Sequence, residues 1–141
     1  MGAPVVAYTR ISDEPIEVHS GVYTPDIVVV IDPTLLGVVP VTSGLKEGGV
    51  LIVNSPESPE VVRERLKAEK YKVASVNATK IALDVFGRAF FNTPMLGAMV
   101  KVTGLVSLES LKKAVHERFK GAIAEKNIEA IERAYNEVVT T

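Results

Sequence analysis

Apolar positions along the chain fall first into short runs and later into helical spacing. Val5 to Ile11, "VVAYTRI", is rich in β-branched and aromatic residues and predicts a strand, closed by the turn signal "SDEP". Ile16 to Val18 is a short candidate for its antiparallel partner. The run "DIVVVID", Asp26 to Asp32, is apolar on both faces, which predicts a central strand covered by helices. Asp32-Pro33 then starts a helix, because proline gives up no needed hydrogen bond in the first turn. Gly37 and Pro40 keep that helix short.

Gly48-Gly49 turns the chain into a buried strand, Val50 to Val53, and a loop leads to a polar helix from near Pro59 to near Lys70. "YKVASVN" predicts another strand, followed by a helix from about Thr79 to Phe86. Ser107 caps a helix reaching about Lys120, with Leu108, Leu111, Val115 and Phe119 on one face. A last helix runs from Asn127, with Ile128, Ile131, Tyr135 and Val138 spaced for docking. Strands first, then strands alternating with helices, then helices alone predict an α/β fold. Its mixed, largely buried sheet is flanked by helices, with a helical C-terminal tail, in a single domain over 1–141.

A chain of 141 residues buries about 68% of its unfolded surface, so one core is enough. Hydrophobic residues make up 47%, aromatic ones only 6%, so Val, Ile, Leu and Ala build the interior. Sixteen basic against seventeen acidic residues give a net charge of -1, which supplies no field for nucleic acid or an anionic membrane. With no Cys the chain offers no thiolate to an iron–sulfur cluster and forms no disulfide. His19 and His116 are isolated and make no metal site. No apolar run approaches the roughly eighteen residues of a membrane span. "MGAPVVAY" lacks the pattern of a secretory signal, so a cytoplasmic location is expected.

Motifs for chemistry are sparse. The chain has no G-x-G-x-x-G, Walker, G-x-S-x-G or H-E-x-x-H pattern and no nucleophile–base pair, so no catalytic residue is assigned. Three apolar segments each end in asparagine: Asn54 after "VLIV", Asn77 after "VASV" and Asn92 after "RAFF". Amides at the carboxyl ends of strands can hydrogen-bond a ligand, or they cap the next helix and shape a turn. Arg10 places a guanidinium on a sheet surface, where it pairs with Asp13 or Glu14 or contacts a phosphate or carboxylate.

Several segments together resemble a known family. "APVVAYTRISDEPI", "PDIVVVIDPTLL", "GLKEGGVLIVNS", "ATKIA", "NTPMLGAMVKVTGLVSLESLKKAVHERF" and "NIEAIERAY", in this order, resemble the gamma subunit of 2-oxoacid:ferredoxin oxidoreductases, the pyruvate and 2-oxoisovalerate group. The resemblance implies a complex that oxidatively decarboxylates a 2-oxoacid, pyruvate foremost, to acyl-coenzyme A and reduces ferredoxin. It implies thiamine diphosphate held by alpha and beta subunits, iron–sulfur clusters in a delta subunit, coenzyme A as co-substrate and no cofactor on this chain alone. Family members carry a strand, a G-x-G-G-Q-G loop and a helix before the matching region, so an N-terminally truncated gamma chain is expected.

The resemblance also bears on "FFNTPMLGAMVKVTG", Phe90 to Gly104. Asn92 is expected to cap a helix beginning near Pro94, and Gly97 to admit a close neighbour. Met95, Leu96 and Met99 supply adaptable apolar contact. That neighbour is either this chain's own sheet or another subunit. The alternatives to a subunit are a free-standing α/β module whose strand-end asparagines rim a pocket, and a structural scaffold from a degenerate gamma chain. Exposed apolar surface separates the first reading from the free-standing module.

Overall fold

The protein, seen here as a computed structural model, is described over residues 4–141. Runs apolar on both faces become the parallel strands β1 (Ile27–Val30), β2 (Val50–Asn54) and β3 (Lys72–Val76). Their register sets Ile27 opposite Val50 and Val30 opposite Val53, then Leu51 opposite Val73 and Asn54 opposite Val76. β4 (Val139–Thr140) joins β3 antiparallel, with Ala74 opposite Thr140, and makes the sheet mixed. The order is β1-β2-β3-β4, so β1 has one edge without a strand among the described residues.

Period-two alternation sends the strand side chains into two cores. Ile52, Ala74 and Val76 pack against α2 (Ala78–Phe86), α3 (Asn92–Thr103) and α5 (Gly121–Glu137). Leu51, Val53 and Val73 face α1 (Pro59–Arg65) and the segment from the short 3-10 turn Pro33–Leu35 to Leu45. Leu51, Ile52 and Ile81 are wholly buried, each contributing at most about 1.5–3 kcal/mol. α4 (Leu108–Arg118) adds a satellite core in which Val115 meets Ala124 and Ile131.

Four expected elements come out differently: the two N-terminal strands, the helix from Pro59 and the last helix. Residues 5–11 and 16–18 form no strand; they belong to an exposed arm that doubles back on itself. The Tyr8 ring lies against Gly21, where an added Cβ would stand 3.3 Å from the ring. Among the described residues no backbone–backbone hydrogen bond joins 4–24 to the rest, so their strand propensity has no ladder to act through. α1 stops at Arg65 rather than near Lys70, because Lys67 adopts φ 54° and the Ala68 amide donates back to the Arg63 carbonyl at 2.8 Å. That turn brings Ala68 into the core. α5 begins at Gly121, not Asn127; Asn127 lies in its second turn, where its side chain accepts from Thr93 and donates to the Ile123 carbonyl.

Candidate functional site

The carboxyl ends of the parallel strands are where an open α/β sheet normally receives a ligand, at the point where strand order reverses. Here β1, β2 and β3 follow one another without reversal among the described residues. Asp32 follows β1 and accepts from the Thr34 amide at 2.9 Å and its hydroxyl at 2.7 Å. Those two bonds, the hydroxyl first, hold its carboxyl below the usual carboxylate range.

Asn54, at the end of β2, is wholly buried. Its amide nitrogen donates to the Ile31 carbonyl at 3.0 Å and to Thr79 Oγ1 at 3.1 Å, while its oxygen accepts from the Thr79 amide at 3.2 Å. One side chain thus ties together the segments that follow β1, β2 and β3. Asn77 caps α2, accepting from the Lys80 amide at 3.1 Å. Asn92 is the first residue of α3 and makes no capping bond; the cap position belongs to Phe91, which already has helical backbone angles. The structure therefore brings Asn54 beside the Asn77 cap through Thr79 and leaves Asn92 to another element.

Arg10 lies on the arm. Its guanidinium donates to the Gly21 carbonyl at 3.1 Å and the Ser20 carbonyl at 3.4 Å, rather than pairing with Asp13 or Glu14. This closes the arm into an open fold lined by Tyr8, Arg10, Ile16 and His19.

The Met95–Met99 segment faces inward for the most part. Met95 is buried, Met99 packs on the larger core, and Leu96 remains 39% exposed. A Cβ on Gly97 would overlap the Ile131 carbonyl oxygen and stand 3.0 Å from its carbonyl carbon. The close neighbour is α5 of the same chain. Not singled out from the sequence is the part-buried polar pair beside this crossing, where Thr93 donates to Asn127 at 2.8 Å and Asn127 donates to the Ile123 carbonyl at 2.8 Å. The signal was present: Asn127 falls on the stripe Ala124, Asn127, Ile131 and Ala134, a polar residue in line with buried apolar ones.

Surface electrostatics tie helices together. Arg133 on α5 donates to Asp84 on α2 at 3.0 Å and to Glu137 at 3.0 Å, with Lys80 3.6 Å from Asp84. The Arg133 hydrogen bond holds the Asp84 carboxyl below its ordinary value, while Glu137 and then Asp84 raise the guanidinium. Among the described residues no group of three or more His, Cys, Asp or Glu is placed to hold a metal ion. No helix among them is long and apolar enough to cross a membrane.

Comparison with known proteins agrees with the resemblance carried by the sequence. The family model for pyruvate ferredoxin/flavodoxin oxidoreductase matches residues 1–137. The pyruvate/ketoisovalerate oxidoreductases common subunit gamma of Thermococcus kodakarensis is 53% identical over 138 residues, covering 98% of this chain and 75% of the relative. The pyruvate synthase subunit PorC of Methanocaldococcus jannaschii is 47% identical over 138 residues, covering 98% of this chain and 74% of its own. The crystal structure of pyruvate oxidoreductase subunit PORC from Thermotoga maritima superposes with a TM-score of 0.77 at 42% identity, over 85% of this chain and 67% of that one. With identity near half over almost its whole length, this chain belongs to the pyruvate ferredoxin/flavodoxin oxidoreductase family, as a gamma-type subunit.

Proposed function

We propose that this chain is a non-catalytic member of a complex that oxidatively decarboxylates a 2-oxoacid, with pyruvate the first substrate to test, to acyl-coenzyme A and passes the electrons to ferredoxin. Alpha, beta and delta subunits complete the complex. Thiamine diphosphate belongs to the alpha and beta chains and iron–sulfur clusters to the delta chain. The donor set of this chain supports that division: it has no Cys for a cluster, and Asn54 and Asn77 have their side chains engaged within the fold.

One observation carries the subunit reading over a free-standing module. Val5, Val6, Tyr8, Ile11, Ile16 and Val18 are all exposed on one arm, Val5 to 86%. Fixing each backbone residue costs about 1–2 kcal/mol, and these side chains bury too little within the chain to offset that. Coverage from outside these residues, by other subunits in the proposed complex, would supply the missing burial. Leu96, the exposed member of the Met95–Met99 segment, is a second candidate for that coverage.

The complex assembled with and without this chain tests the proposal through 2-oxoacid- and coenzyme A-dependent ferredoxin reduction. We expect activity only from the complete assembly and none from the isolated chain. Undiminished turnover without this chain, or turnover by it alone, would overturn the reading. Arg10 is further proposed to meet a coenzyme A phosphate in the complex. Arg10→Gln is then expected to raise the KM for coenzyme A, and an unchanged KM would return Arg10 to closing the arm.

A further inference from the structure

We draw no further inference here: the strongest candidate, the exposed apolar arm of residues 4–22 together with the β1 edge that has no strand among the described residues, carries nothing more because nothing in the structure shows what covers it.

Discussion

Gly97 lies where α3 crosses the Ile131 carbonyl of α5, and there a single methyl group meets backbone rather than a side chain able to move aside. Gly97→Ala would gain roughly 1 kcal/mol of helix propensity, yet the overlap should cost about 1–3 kcal/mol. We expect net destabilisation in urea unfolding of the chain, larger for Gly97→Leu; a neutral or stabilised Gly97→Leu variant would refute the close crossing. Asn54→Ala should cost about 1–3 kcal/mol, because it strips the Ile31 carbonyl and the Thr79 amide of their partner. Asn77→Ala removes only a cap and should cost about 0.5–2 kcal/mol. An Asn54→Ala chain as stable as the parent would release that side chain for ligand binding. The need for close approach at Gly97 was legible in the sequence, since glycine inside a helix asks for a compensating contact. The identity of the neighbour was not, because Ile131 lies thirty-four positions away and helical spacing says nothing about which helix crosses which.

At the scale of elements, strands apolar on both faces were the most legible feature, since such runs are stable only between two layers. The caps Asn77 and Ser107 likewise mark two helix starts by local chemistry alone. Val5 to Ile11 has the same β-forming composition and yet forms no strand, because a ladder requires a second strand that local sequence does not specify. β4 was hidden for the opposite reason: two residues, Val139 and Thr140, are too short for any period. The docking of α2 on α5 has a measurable electrostatic signature in Asp84. Its pKa is depressed in the folded chain, so its contribution to stability is present above the unfolded value of about 3.9 and is lost as pH falls through the lower folded value. An NMR titration of the Asp84 carboxyl should show an upward shift in Arg133→Gln; an unmoved titration would mean that the Arg133 pair does not form in solution.

For the whole molecule, the two cores and the exposed arm make separable demands. Residues 4–24 share no backbone–backbone hydrogen bond with the α/β body, so substitutions at exposed arm positions should leave the body nearly untouched. Replacing Val6, Tyr8 and Ile11 together with Ser is expected to change unfolding free energy by less than about 0.5 kcal/mol per site. The same variant should fail to copurify with the other subunits. A variant that assembles normally would move the interface elsewhere, and one that unfolds would show that the arm supports the body. Membership of the complex is tested most directly by native mass spectrometry of the chain recovered from its own cells under anaerobic, low-salt conditions. Recovery with alpha, beta and delta chains, thiamine diphosphate and iron–sulfur clusters is the result the subunit reading requires. Recovery alone, or only with copies of itself, would contradict it.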